Sequence, residues 1–272
     1  MTIATSVDPN SGRPWPGQTQ NTRVKRALKP LLVPILVVAV WHFVASSHLV
    51  SSTLLPTVPD ASARLWHFLT TRDLWPDFKW TAFRVSAGFS LASIVGISIG
   101  LLIGVDRRLF DIMVIPIDFV RSIPITILYP VFVLTCGISH LSKIAMVFAG
   151  SVFVIALNTA YGVIHESPIR RNMARLFGAS RFQAIRHITF FESLPQTAVG
   201  LRIALSLSLV IEILCEMFMG SEYGLGQRVS DAYTTYAIPD MYALIVIVGS
   251  FGYVLNRLLA SALRVLLPWA RE

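Results

Sequence analysis

Stretches of twenty or more mostly apolar residues recur along this chain, at about 80–105, 141–164, 194–219 and 240–267. That recurrence restricts the fold more than any other feature. Crossing a hydrocarbon layer about 30 Å thick takes roughly 20 helical residues. In lipid, every backbone amide must also be satisfied inside its own segment. The expected fold is therefore an all-α integral membrane protein. Composition agrees: 54% of the residues are apolar and 14% charged, with a mean hydropathy of +0.64. That leaves too little polar material to cover a soluble domain of 272 residues.

Two further runs bring the expected count of transmembrane helices to six. Residues 31–45 follow a polar tail rich in Arg and Lys, and small residues Ala45-Ser46-Ser47 come after them. This pattern also fits a signal peptide, but with spans downstream an uncleaved first helix is favoured. Residues 109–137 are apolar but interrupted by Pro116, Pro124 and Pro130, with Asp111, Asp118 and Arg121 in the first half. Each internal proline removes a backbone hydrogen bond and kinks the helix, and broken membrane helices often line a polar route. A kink without such a role is the alternative. Residues 49–78, with an amphipathic piece near 61–69, are placed outside the membrane.

Orientation follows from Lys and Arg near the ends of the runs. With both termini in the cytoplasm, the inner side receives fourteen: Arg13, Arg23, Lys25, Arg26, Lys29, Arg107, Arg108, Arg170, Arg171, Arg175, Arg181, Arg186, Arg264 and Arg271. The outer side receives five: Arg64, Arg72, Lys79, Lys143 and Arg228. This asymmetry accounts for the net charge of +8. No basic face interleaved with aromatics is left over, so no nucleic-acid partner is expected. Residues 1–29 then form a cytoplasmic tail, and residues 30–272 a transmembrane domain. Cys136 and Cys215 are the two cysteines and lie in apolar surroundings, which suits packing better than metal or disulfide chemistry.

Within the second run, Gly88, Ala92, Gly96, Gly100 and Gly104 fall four residues apart. That spacing makes one ridge of small side chains, against which another backbone can pack closely. The partner is either a neighbouring helix or a second copy. The loop at 165–192 is long, basic and prone to helix. Residues 169–177 read as a short amphipathic helix, Gly178 as its stop, and Ser180 as the N-cap of a second helix to about residue 188. Met173, Leu176 and Phe177 offer apolar anchors to a partner's groove, while Ala174 and Ala179 keep the surface shallow. A hairpin lying on anionic membrane lipid is the competing interpretation.

Asn172-Met173-Ala174-Arg175-Leu176-Phe177-Gly178-Ala179-Ser180, followed by Leu194-Pro195, resembles the cytoplasmic "EAA" loop of binding-protein-dependent ABC importer permeases. Asn172-Met173-Ala174 departs from Glu-Ala-Ala at two of three positions, whereas Gly178-Ala179-Ser180 and Leu194-Pro195 hold. Further likeness lies in Arg121-Ser122-Ile123-Pro124, Gly137-Ile138-Ser139-His140-Leu141-Ser142-Lys143, Gly200-Leu201-Arg202, and Glu216-Met217 with Gly224-Leu225-Gly226. These look like the nitrate, sulfonate, taurine and bicarbonate branch.

The resemblance implies a type I importer fold. Two permease copies, as a homodimer, would form the pathway, with a cytoplasmic ATPase dimer on the loops and a periplasmic or lipid-anchored protein delivering solute. The sequence has no Gly-x-x-x-x-Gly-Lys-Ser/Thr loop. ATP is thus expected on a partner, with no cofactor and no catalytic chemistry in this chain. The loop residues Asn172, Met173, Ala174, Arg175, Phe177, Gly178, Ala179 and Ser180 would couple to the ATPase.

For the solute route, charges inside spans are the candidates, because each costs at least about 2.5 kcal/mol at the bilayer centre. Arg121, Pro124, Arg202, Glu212 and Glu216 form the expected pathway set, with Arg84 and Asp118 as further intramembrane charges. Glu212 and Glu216 share a helix face and need a cation between them, for which Arg121 or Arg202 is the expected source. Structural ion pairs are the competing role. An ion-coupled secondary transporter would use the same carboxylates, but no inverted repeat is visible. A membrane enzyme lacks any His/Glu or His/Asp cluster within a span.

Overall fold

The computed structural model describes residues 19–47, 50–51 and 54–270, with the side chains of residues 19–31, 168, 171, 172, 175, 181 and 270 excepted. The tail expected at 1–29 thus lies largely outside the described residues. The chain divides into two compact units, Met1–Ala63 and Arg64–Glu272. In the first, α1 (Thr19–Ser46) precedes a short connection. There the Trp41 indole N–H donates to the Pro56 carbonyl at 3.0 Å. Thr57 then starts α2 (Val58–Thr70), its hydroxyl accepting from the Asp60 amide.

The second unit is a bundle of α3 (Trp75–Val105), α4 (Arg107–Ser122), α5 (Tyr129–Cys136), α6 (His140–Ile164), α7 (Pro168–Leu176), α8 (Arg181–Ala184), α9 (Phe190–Met219), α10 (Leu225–Thr234) and α11 (Ile238–Leu266). Among the described residues, four helices are long and apolar enough to cross a membrane. They contain α3, α6, α9 and α11. Counting α4 and α5 as one broken span makes five, and the apolar part of α1, Leu32–Ser46, is shorter.

The small-residue ridge of α3 lies against α6 of the same chain, which answers the question of its partner. A Cβ on Gly96 would stand 2.8 Å from the Val152 carbonyl oxygen and 2.9 Å from the Ile155 Cβ. Gly88 meets Val147 and Gly104 meets Val163 in the same way. Residues four apart share a face, so the ridge brings the two backbones together over most of their length. On its other side α6 packs against α9, with Gly200 against Asn158 and Gly162 against the Ser193 carbonyl. The three helices form the middle of the bundle, and their apolar contacts include Ala92, Ile155 and Ala204.

Not every proline breaks its helix. Pro116 lies within α4 and Pro130 in the first turn of α5, where a missing N–H leaves little unsatisfied. The break is at Pro124. It forces Ile123 into an extended conformation, φ −75° and ψ 119°, and the two halves meet at 75°. A short 3₁₀ turn, Ile125–Leu128, carries the chain into α5.

Gly96→Leu should drive a side chain into the α6 backbone and destabilise the detergent-solubilised protein by about 1–3 kcal/mol or more. At Gly249 on α11, where a Cβ meets nothing within 4 Å, alanine should be neutral. Thermal unfolding of the two variants side by side checks the contrast.

Candidate functional site

At one end of the bundle, the segment between α6 and α9 folds into a knob. Its first helix, α7, ends in a left-handed glycine: Gly178 has φ +80°, and the Ala179 amide donates to the Ala174 carbonyl at 3.0 Å. That bond reaches back five residues, as in a Schellman closure. Ser180 opens the next helix through a reciprocal cap. The Gln183 amide donates to its hydroxyl at 3.3 Å, and its own amide donates to the Gln183 side chain at 2.8 Å.

The second helix does not stop near residue 188. From α8 it passes through a π-helical turn, Ile185–Thr189, directly into α9, so that Phe182–Met219 forms one continuous span with Pro195 inside it. Hydrophobic helix begins before Leu194-Pro195, and the dipeptide marks no start. The knob is therefore an extension of a membrane helix rather than a separate hairpin.

Ile169, Met173 and Leu176, at i, i+4 and i+7, share one face of α7. Leu176 and Phe177 are 86% and 87% exposed, and Ile169, Met173 and Phe182 are also exposed. Glu192, on α9, fastens the base. One carboxylate oxygen pairs with Arg170 Nε at 2.8 Å, and the other accepts from the Ser167 amide at 3.0 Å, just ahead of α7. The negative charge also suits the partial positive charge of that helix start. Beneath the knob lies a cavity of about 860 Å³ walled by His165, Glu166, Arg170, Met173, Glu192 and Trp269 among others. Backbone positions 172 and 175 belong to α7, but the side chains of Asn172 and Arg175 lie outside the described residues.

At the opposite end, charge is buried. Arg84, Glu212 and Glu216 are each at most 1% exposed. Arg84 Nη1 lies 2.7 Å from Glu216 Oε1 and 3.6 Å from Glu212 Oε1. The cation between the two carboxylates is Arg84, and neither of the expected arginines. Arg121 is half exposed and pairs locally with Asp118 at 3.7 Å. Arg202 is exposed on α9 and makes no ion pair among the described residues.

Glu216 also accepts from the Thr81 hydroxyl at 2.8 Å and from the Gly226 amide at 2.8 Å. Asp77 accepts from the Gly224 amide at 2.8 Å and pairs with Arg228 at 2.8 Å. Two carboxylates thus hold the first turn of α10, where unpaired amides and the helix dipole favour negative charge. Gly224 and Gly226 are needed because a Cβ on either would strike Glu216. Lys143 reaches the same region and donates to the Gly220 carbonyl at 2.9 Å. Arg84, Lys143 and Arg228 stand against Asp77, Glu212 and Glu216, three charges of each sign. Such balance eases the burial of charge, while both Glu212 carboxylate oxygens lack a hydrogen bond among the described residues and Arg84, at 3.6 Å, is the cation paired with them.

Asp77, Thr81, Lys143, His140 and Glu192 were missed as site residues. A signal existed for the first two: 77, 81 and 84 continue the helical face that Gly88 to Gly104 occupies, so their side chains had to meet a packed neighbour. The motif around Gly137 resolves in the same local terms. Gly137 turns the chain with φ +70°, and Ser139 and Ser142 cap α6 reciprocally. His140 and Lys143 are thereby set beside Arg84. No group of three or more potential metal ligands exists among the described residues.

The chain belongs to the family described as the inner membrane component of binding-protein-dependent transport systems, whose model matches residues 92–272. It is 28% identical over 271 residues to a bicarbonate transport system permease protein of Synechococcus elongatus, covering 96% of both chains. A nitrate import permease protein of Synechocystis is 30% identical over 185 residues, 68% of this chain and 67% of that one. A permease protein of Bacillus subtilis named for aliphatic sulfonates transport is 26% identical over 242 residues, 89% and 87% of the two. Among solved structures, the MetNI methionine ABC transporter in an inward-facing conformation matches with a TM-score of 0.59 at 21% identity, covering 75% of this chain and 97% of that one. The fold is that of type I importer permeases, and the protein is a multi-pass membrane permease of an ABC importer rather than an enzyme.

Arg84→Met should leave two buried carboxylates without their cation and cost about 3–5 kcal/mol. Adding Glu216→Gln should recover part of that loss. The folded, monodisperse fraction after detergent extraction measures both.

Proposed function

We propose that this permease takes up a small oxyanion, such as nitrate, bicarbonate or an aliphatic sulfonate or taurine, handed over by a periplasmic or lipid-anchored binding protein. Two copies of the chain form the pathway in the inner membrane, with termini and knob on the cytoplasmic side. A dimeric ABC ATPase binds the ATP and seats each knob, so the chain itself carries no cofactor. Met173, Ala174, Phe177, Gly178, Ala179 and Ser180, with Asn172 and Arg175, make that contact.

The observation that carries this proposal is the knob itself. A compact apolar surface with Leu176 and Phe177 almost fully exposed has no reason to face water unless a partner covers it. Its base is tied to α9 by Glu192 and its second helix is α9 continued. Movement of the ATPases is then passed to the span along one continuous helix. The names of the relatives support an oxyanion as the solute. The break at Pro124, with Arg121 just before it, and the exposed Arg202 supply polar positions along the pathway. Glu212 and Glu216 hold the bundle's far end together beside it. Ion coupling through Glu216 is disfavoured, since it is already engaged by Thr81, Arg84 and Gly226.

Gly178→Val tests the proposal. At φ +80° a β-branched residue is strained by roughly 1–3 kcal/mol and the closure of α7 is lost. In the assembled complex, solute-stimulated ATP hydrolysis should fall at least about tenfold, which corresponds to 1.4 kcal/mol, while membrane insertion is unchanged. Full solute-stimulated hydrolysis in this variant would remove the knob from the mechanism.

A further inference from the structure

A cavity of about 570 Å³ lies at the end of the bundle away from the knob, between the start of α6 and the chain leaving α9. The 25 residues of α6 put it about 37 Å from the coupling end. Its wall includes Trp80, Arg84, His140, Lys143 and Tyr223, with the exposed Glu222 also on it. Glu212 and Glu216 do not line it. They sit behind Arg84, with which both pair, so the carboxylate the cavity sees is the exposed Glu222 and not the buried pair.

The donors have capacity to spare. Arg84 gives Nε to His140 Nδ1 at 2.9 Å and Nη1 to Glu216 and the Tyr223 carbonyl. Its Nη2 makes no hydrogen bond among the described residues. Lys143, 3% exposed, spends one proton on the Gly220 carbonyl and has two left. Because His140 Nδ1 accepts from arginine, the ring proton is on Nε2. The ring itself is fixed by stacking on Trp80 at 4.3 Å.

From this geometry we infer that the cavity is an entry site for the XO₃ headgroup of a small monovalent oxyanion, bound by Arg84, Lys143 and the His140 N–H before it enters the pathway. The inference rests on the importer reading above. Two buried cations give the site its affinity for an anion, and the carboxylates behind them keep it weak. A transit site needs that combination, favourable enough to enter and weak enough to leave. The Trp80 and Tyr223 rings form an apolar flank that a sulfonate's alkyl group or a planar anion can contact.

The test uses the full-length chain in phosphatidylcholine nanodiscs, without ATPase or binding protein, and follows tryptophan fluorescence. Sodium methanesulfonate and sodium bicarbonate are titrated in separate arms against sodium chloride at matched ionic strength. A saturable change with at least one oxyanion but not with chloride is expected, and Trp80→Phe should abolish it. His140→Phe keeps the stack but removes the N–H, and should weaken binding about tenfold, the loss of one hydrogen bond to a charged group. His140→Gln, which retains a donor, should restore most of it. An equal response to chloride, a response that never saturates, or unaltered affinity in His140→Phe would overturn the site. Failure of the importer reading would appear instead in the solute-stimulated ATP hydrolysis of the complex, which this titration does not involve.

Discussion

The close approach of α3 to α6 is the constraint on which the remainder of the structure depends. Where Gly88, Gly96, Gly100 and Gly104 face Val147, Ile155, Thr159 and Val163, no side chain of α3 stands between the two helices. Helices in lipid gain little from hydrophobic exclusion, so contact of this kind is a main source of their cohesion. It turns α3, α6 and α9 into a slab. The slab places Arg84 of α3 within reach of Glu216 of α9, and it gives the knob a rigid body to act upon.

Both ends of the slab are closed by carboxylates on α9. Glu192 ties α7 to the helix at the coupling end, and Glu216 ties α3 and the first turn of α10 to it at the other. Each accepts backbone amides as well as a cation, so neither is an isolated charge in a poor dielectric. Between the knob and the body of α9, the irregular points a force meets are the π-helical turn at Ile185–Thr189 and Pro195, both inside one continuous helix. The broken span at Pro124 is different. Its charges are half exposed and paired locally, which leaves it less tightly fixed than the slab.

Much of this is legible in the amino-acid sequence. Of the six expected spans, four are long apolar helices and the proline-rich run is a broken fifth, because span length must match the bilayer; the first run, Leu32–Ser46, is shorter. The amphipathic helix ending at Gly178 and the cap at Ser180 followed from local chemistry and are found as expected. What sequence spacing could not supply was the pairing of charges across helices. Glu212 and Glu216 announced the need for a cation, but Arg84 lies more than a hundred residues away and only the packing of α3 brings it in. By sequence Lys143 counts only as an outer-side charge near a span end, since nothing local distinguishes a flanking lysine from one folded inward. Glu192 was silent for the same reason: its partners, Ser167 and Arg170, precede it by a full loop.

The central claim is that the knob and α9 move as one body. Spin labels at Phe182→Cys and Val199→Cys, both exposed positions, on a background without Cys136 and Cys215, allow pulsed dipolar distances to be measured in the assembled importer. Between nucleotide-free and ATP-trapped states, the distance within one chain should stay constant while the distance between the Phe182→Cys sites of the two copies shortens. A changed distance within the chain, with the two knobs no closer, would contradict the account.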